Sequence, residues 1–368
     1  MSASNKPSWL QRYILPGLAF KAVVIGGGYA TGRELAEFFL PSGPKGGLLA
    51  ILVATLVWSV VCALTFTFSY TYRLLDYRAF FGKLLGRGWM VFEVTYILLV
   101  LLILSVFAAA SGAIGNSLFG WPSIAGALLL LVSIAIAVAI GAAAVEPIFK
   151  YVSVLLYITY AVFLGLSLSK FGSAILANLS GSGVGEGWLL GGITYAGYNS
   201  VAAVVILPVL RHLTSRRDAL VAGIIAGPLA MLPGLFFFLS MIAWYPQIGS
   251  SALPSDFLLV KIDIPIVRLL FQSMIFFALL ESGCGVVHAI MERVRHAMRV
   301  RTGKDANLLT RGATTLAVLM ISVFAAQGIG LVDLIAKGYR LVSWILIVIF
   351  ILPVIYVSIV PRRVAFQD

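Results

Sequence analysis

The hydrophobic positions of this 368-residue chain fall in long uninterrupted runs rather than in stripes. A helix needs about 20 mostly apolar residues to cross a bilayer. Alternating segments of about 10 residues, the mark of a membrane barrel, are not visible. The runs predict ten membrane-spanning helices at 14–39, 46–72, 88–118, 122–142, 149–170, 187–210, 217–244, 265–291, 308–327 and 331–360. Connections punctuated by Pro or Gly separate them, among them "PSGPKGG", "SGSGVGEG" and "YPQIGSSALPSD". The expected class is an all-α integral membrane protein, a single transmembrane domain over 1–368.

Five spans precede the stretch "SKFGSAILANLSGSGVGEG" and five follow it, as halves 14–170 and 187–360. Five is odd, so the second half starts from the opposite side of the membrane and the halves are inverted. No strong internal sequence repeat accompanies this count. Two spans are interrupted at corresponding places, by "GGGYATG" in the first and "GGITYAGYNS" in the sixth. In hydrocarbon every backbone N–H and C=O needs a partner, so irregular backbone persists only where it lines a cavity or is buried in protein. Glycine-interrupted spans at matching positions of two halves point to a transporter's substrate site. Freed N–H groups at a helix start suit a carboxylate, and freed carbonyls suit an ammonium or Na⁺. The alternative is close helix packing, which the small-xxx-small spacing Gly28 to Gly32 also fits. A dinucleotide fingerprint is excluded, because Thr31 stands where its third glycine belongs and no strand precedes it.

The run "GGGYATGRELAEFF", the run "TYAGYN" and the five-plus-five count resemble the APC (amino acid–polyamine–organocation) superfamily. That superfamily has the ten-helix fold of bacterial leucine transporters. Within it, the chain is most similar to the YkvI-like group of amino-acid permeases. The resemblance implies substrate binding at the breaks, by Gly26, Gly27, Gly28, Tyr29, Ala30 and Thr31 beside Tyr195, Ala196, Gly197, Tyr198 and Asn199. Helices 3 and 8 would line the other side, with Ser105 the polar residue nearest the middle of helix 3, where no tyrosine stands at mid-span. It also implies an outer gate pairing Arg33 with Asp333. Glu34, Glu37, Lys337 and Arg340 lie beside that gate and are not general features of the superfamily.

Composition agrees with the runs: 61% of residues are hydrophobic, 11% are charged and the mean hydropathy is +1.04, against roughly a quarter charged in a soluble domain. The net charge of +12 raises the question of nucleic acid. Its placement answers it. Arg12, Arg73, Arg78, Lys83, Arg87, Lys150, Arg211, Arg216, Arg217 and the cluster Arg293–Arg311 would share one side, with Lys6, Arg362 and Arg363. Lys45, Lys170 and Lys261 would face the other. The positive-inside rule then puts both termini in the cytoplasm of an inner or plasma membrane, and the basic loops meet anionic headgroups. No cleavable signal is recognised at the N-terminus. Cys62 and Cys284 sit in apolar runs and read as small buried residues. The sequon Asn178-Leu179-Ser180 is formally a glycosylation acceptor.

Ionisable residues within spans are functional candidates, because burying them is costly. Lys21 in the first span and Glu281, followed by Ser282, in the eighth stand at comparable depths. Three readings stay open: Lys21 replaces a coupling ion by its fixed charge, Glu281 and Ser282 bind Na⁺, or the pair is structural. Glu93 and Glu146 read as interfacial, and His212, His288 and His296 as solvated. Neither HExxH nor GxSxG occurs, so an enzyme is not expected. The expectation is a secondary transporter of an amino acid or related zwitterion or amine, proton-coupled or sodium-independent. No cofactor beyond H⁺ or Na⁺ as coupling ion is implied. A Na⁺ symporter, an amino-acid receptor or sensor that does not transport, and a channel are the alternatives.

Overall fold

A computed structural model describes residues 7–359 apart from Gly141, with side-chain surroundings for all of these but Gly27, 142–157 and Leu308. The readings at Lys6, Glu146, Lys150, Arg362 and Arg363 lie outside what is described. The described residues form helices and short turns, with no strand among them. Among the described residues eight helices are long and apolar enough to cross a membrane, from Leu40–Tyr72 to Leu331–Ile359. The first segment and the segment at 188–212 are not among the eight, because each is cut into pieces.

The first segment divides into α1 (Leu15–Val24), α2 (Gly27–Ala30) and α3 (Arg33–Phe38). At the first cut Ile25 leaves the helical region, with φ −74° and ψ 79°. At the second, Gly32 takes φ +77°, and an added Cβ there would also strike the Phe237 ring; only glycine meets both demands.

Long helices follow: α4 (Gly43–Tyr72), α6 (Trp89–Phe119), α7 (Ser123–Ile140) and α8 (Ala142–Gly181), with the short α5 (Tyr77–Leu85) between α4 and α6. Asp76 caps α5, its carboxylate accepting from the Arg78 and Ala79 amides at 2.8 and 3.1 Å. The expected boundary of the fifth span at 170 falls short. Nothing in "FGSAILANLS" breaks a helix, so α8 continues to Gly181 and absorbs part of the predicted loop.

The second half runs through α9 (Trp188–Asn199), α10 (Ala202–Val205), α11 (Arg216–Ile242), α12 (Pro254–Ile262), α13 (Pro265–Thr302) and α14 (Leu308–Ile329). It closes with α15 (Leu331–Asp333), α16 (Arg340–Leu346) and α17 (Leu352–Ile359). These three are joined by wider π turns over Leu334–Tyr339 and Ile347–Ile351. The segment expected as the loop "YPQIGSSALPSD" holds the start of α12, where Pro254 pre-sets the first turn.

Small residues set the helix spacing. The largest interface joins α4 and α11. There Gly223 faces the backbone of Cys62 and Ala63, and Gly227 faces Thr55 and Ser59. A side chain at either glycine would push the helices apart. Gly112 and Gly126 do the same between α6 and α7. Around these contacts lies one apolar core that includes Trp58, Phe66, Phe163 and Phe237. Cys62 and Cys284 are buried and free.

Polar contacts gather at the two ends of the bundle. At the end carrying the N-terminus, Asp218 accepts from Arg12 Nε and Nη2 at 2.8 and 2.7 Å, from Tyr13, and from Thr214. Tyr70 donates there to the Thr214 carbonyl. At the opposite end Asp256 on α12 receives Arg268, Ser117 and Gln272. Burial alone would raise the Asp256 carboxyl, but these hydrogen bonds outweigh it and hold it below the ordinary carboxylate value. Asn178 Nδ2 donates to the Ile242 and Ala243 carbonyls, so its amide is already engaged.

Candidate functional site: the cavity at the broken first segment

The end of α1 opens into a cavity of about 450 Å³, within the usual range of about 300–1,000 Å³ for small-molecule sites. Five groups of residues enclose it. Ala22 to Gly26 supply the end of α1 and the cut that follows, and Glu34 comes from α3. Tyr96, Leu99, Val100, Ile103 and Phe107 come from α6. Tyr198, Asn199, Val201, Ala202 and Val205 come from α9 and α10, and Ala278, Glu281, Ser282, Gly285, Val286 and Ala289 from α13. Tyr339 comes from the first π turn.

Local chemistry explains the placement of the polar groups. α1 ends at Val24, where the Lys21 and Val24 carbonyls accept the Ile25 and Gly26 amides at 2.9 and 2.8 Å, and Ala22 to Gly26 border the cavity. Helix resumes at once with α2, and the Thr31 hydroxyl donates to the Gly28 carbonyl at 3.0 Å. One turn on, Glu34 is only 4% exposed. Its Oε2 accepts from the Tyr198 hydroxyl at 2.6 Å. Its Oε1, Cδ and Cγ lie over Gly28, where a side chain would collide with them. The Tyr339 ring stacks on Tyr198 with centroids 4.5 Å apart. A carboxylate and two tyrosines thus border one wall.

The residues singled out in the sequence fall in different places. Gly26, Tyr198, Asn199, Glu281 and Ser282 border the cavity, while Gly27 lies in the same stretch at the start of α2. Gly28 sits behind, under Glu34. Tyr29, Ala30 and Thr31 are buried and do not border it. Tyr29 instead donates to the Ala230 carbonyl at 3.2 Å, fixing α2 to α11. Tyr195 packs on Phe39 and Trp58, and the Ala196 carbonyl accepts from Trp58 Nε1 and from Ser200. Gly197 abuts Ser343 and Ile347, so it serves close packing against the last segment.

The second interruption also shifts. "GGITYAGYN" is helical through Asn199; Ser200 and Val201 keep helical dihedrals with tighter i+3 bonds, and the backbone leaves the helical region at Ile206, with φ −90° and ψ 6°. Tyr198 and Asn199 border the cavity, while Tyr195, one turn earlier on the same face and with its ring 5.8 Å from that of Tyr198, is covered by Phe39 and Trp58, and Gly197 faces the last segment. Ser105 is buried and donates to the Leu101 carbonyl, away from the cavity. Lys21, half-buried, stands one residue before the lining begins, and its carbonyl accepts the Ile25 amide at 2.9 Å.

The expected gate is wired differently. Arg33 pairs with Glu37 at 2.9 Å and donates to the Gly249 and Ser251 carbonyls. Glu37 is reached from the last segment by Arg340, at 3.5 Å. Asp333 pairs with Lys337, one turn along its own exposed face. The Arg33–Asp333 pair is therefore not formed, because a nearer acid and two carbonyls claim the guanidinium. Glu34, grouped with the gate on sequence, belongs to the cavity wall instead.

Sequence reasoning missed Tyr96, Phe107 and Tyr339. Tyr339 lies between Lys337 and Arg340, where charge drew attention away from an aromatic one position off. Tyr96 lies nearer the start of α6 than the mid-span position considered. It also borders a second cavity of about 370 Å³, with Tyr77, Pro208 and Arg293. Arg293 lies 3.1 Å from Glu93 and stacks over the Tyr96 and Tyr77 rings at 4.0 and 4.4 Å. Glu93 is thus engaged by Arg293, Arg78 and Tyr77.

No family model matches the chain. In sequence it is similar to the uncharacterized membrane protein YkvI of Bacillus subtilis (strain 168). The two are 25% identical over 345 residues, which cover 89% of this chain and 92% of that protein. In structure it is similar to the manganese transporter of Eremococcus coleocola. With an aromatic bis-isothiourea compound bound, that transporter aligns at TM-score 0.57 and 16% identity, covering 97% of this chain and 83% of its own. A histidine-to-alanine mutant of the same transporter aligns at TM-score 0.56 and 13% identity, covering 97% and 81%. The fold is leucine-transporter-like. At these identities the likeness carries the fold alone, and the proteins that share it here are transporters rather than enzymes.

Proposed function

We propose that the chain is a secondary transporter of an amino acid or a related small zwitterion or amine, working by alternating access around the cavity at the first cut. In this reading the two interrupted segments join the eight uninterrupted helices as spans one and six. Ten spans then form two inverted halves, with both termini and the basic end of the bundle in the cytoplasm. The observation that carries the reading is the cavity itself. It combines a helix end, the carboxylates of Glu34 and Glu281, and the hydroxyl and amide groups of Tyr198, Ser282 and Asn199 on mostly apolar walls. Such a set can hold an ammonium and orient a small polar group. The network of Arg33, Glu37 and Arg340 closes the side opposite the termini, and Arg293 with Tyr96 stands between the two cavities on the other side.

The structural neighbour's manganese suggests a second cargo. Among the described residues no group of three or more His, Cys, Asp or Glu is placed to hold a metal, so the organic amine is favoured. Reconstitution into vesicles tests the choice. Labelled leucine and lysine should accumulate under a pH gradient, without Na⁺. Uptake of Mn²⁺ alone, or uptake that requires Na⁺, overturns the cargo or the coupling respectively. Binding with no flux of any of these marks a sensor instead.

A further inference from the structure

Glu34 is a cavity carboxylate held by the cavity's own wall. One oxygen takes the Tyr198 hydroxyl at 2.6 Å, and the other lies over Gly28. Arg33, its chain neighbour, is turned to Glu37 and to two carbonyls of the turn before α12, those of Gly249 and Ser251. A buried carboxylate with a single hydroxyl donor is stable in two forms, with a proton on it or with a cation against it. The cavity beside it is also bordered by the aromatic side chains of Tyr96, Phe107, Tyr198 and Tyr339, a residue type that favours ammonium.

We propose that Glu34 is a shared site, holding a proton when the cavity is empty of substrate and the substrate's ammonium when it is filled. The inference rests on the transporter reading above and deepens it: the cargo carries an ammonium, and its entry is tied to a proton's departure. The step balances without a further reactant. The carboxyl O–H bond breaks, the proton passes through the cavity to water, and the arriving positive charge takes its place. For a monocation such as choline or lysine the net charge of the site is unchanged; a zwitterion such as leucine brings its own carboxylate in addition. Transport then becomes an exchange of protons against ammonium compounds. By linkage each ligand weakens the other equally.

Other titratable and charged groups face Glu34. Tyr195 and Tyr198 lie on α9, Tyr339 on the last segment and Tyr29 on α2. Glu281 on α13 and Tyr96 on α6 border the same cavity, and Lys21 stands on α1. The charged residues of α11, Arg216, Arg217 and Asp218, are at its far end. Glu281 is the competitor for the same role, so the test separates the two carboxylates.

The full chain, purified in detergent and weakly buffered, is titrated with leucine, lysine and choline, and with 4-methylpentanoate and 3,3-dimethylbutanol, which lack the ammonium. A pH-sensitive dye follows release, and infrared difference spectra follow the protonated carboxyl band. About one proton should leave per ammonium compound bound, with loss of that band, and none for the two controls. In the acid range the apparent Kd should rise about tenfold for each unit by which the pH falls. Glu34→Gln should abolish release and the pH dependence and weaken binding at least tenfold, while Glu281→Gln retains release. Tyr198→Phe keeps the ring and the fold and should move the pH profile. Three results overturn the proposal: equal binding of the controls, release that survives Glu34→Gln or vanishes only in Glu281→Gln, or no release with any ammonium compound. Flux in vesicles without proton release leaves the transporter reading standing and removes Glu34. Release without flux does the reverse.

Discussion

Gly28→Ala isolates the contact on which the cavity wall depends. The change is small and the backbone accepts it, since Gly28 is not among the glycines with positive φ. On propensity alone alanine should stabilise the helical turn by about 0.5–1 kcal/mol. The structure opposes this gain. The new methyl would meet Oε1, Cδ and Cγ of Glu34 together, so a flick of the carboxylate tip does not relieve it. The whole side chain must swing off Gly28 and give up the 2.6 Å bond from Tyr198. Leaving a buried donor or acceptor without its partner costs about 1–3 kcal/mol. The loss wins, and Gly28→Ala should be less stable by about 1–2 kcal/mol. Unfolding in mixed detergent micelles measures this, and a double-mutant cycle gives the coupling. In a Glu34→Ala background the obstacle is gone, and Gly28→Ala should become neutral or stabilising. A coupling of about 1.5–3 kcal/mol between the two sites is expected. If the two changes add within about 0.5 kcal/mol, Glu34 does not lie over Gly28 and the wall as described is wrong.

Further outcomes follow from other contacts. Trp58→Phe removes the Nε1 bond to the Ala196 carbonyl at 3.3 Å and leaves a void, so stability in the same assay should fall by about 1–3 kcal/mol. Gly197→Val places methyls against Ser343 and Ile347 and should cost about 1–3 kcal/mol or more. Asp218→Asn should lower stability more than Arg12→Gln does, because Asp218 also serves Tyr13 and Thr214; equal losses would show that only the ion pair counts. Asp256 gives a pH signature. Its folded carboxyl lies below the ordinary value, so its contribution is present above the ordinary carboxylate pKa and is lost as pH falls through the folded one. Thermal stability should drop over that acid window in the parent and lose that component in Asp256→Asn.

The all-helical class and the eight long apolar helices were legible because a bilayer imposes a crude code: length and hydropathy locate spans whatever their neighbours. The first cut was legible too, since Gly26 to Gly28 and Gly32 are where helix has least to gain. What the sequence did not show was which side chains of each piece meet the cavity. Tyr195 and Tyr198 look alike in "TYAGYN", yet three residues apart on α9 one packs on Trp58 and the other on Glu34. Side-chain direction after a cut depends on the local dihedrals, and at Ile25 and Gly32 these leave the 3.6-residue period. Partner choice was equally hidden. Arg33 had Glu37 one turn away and two carbonyls from a distant turn, and those contacts exist only once the chain has folded.

The two π turns of the last segment have a geometric consequence for Tyr339. Each π turn carries one residue more than the α-helical period would, and a residue of α-helix is worth about 100° of rotation. The extra residue in Leu334–Tyr339 therefore acts as a phase shift: it decides whether Tyr339 or a neighbour faces Tyr198. If the same residues relaxed to ordinary helix, the chain beyond the turn would rotate by about 100° relative to the start of the segment. That rotation would swing the Tyr339 ring out of its stack on Tyr198. The segment thus behaves as a dial with adjacent settings, and the aromatic wall of the cavity is present at only one of them.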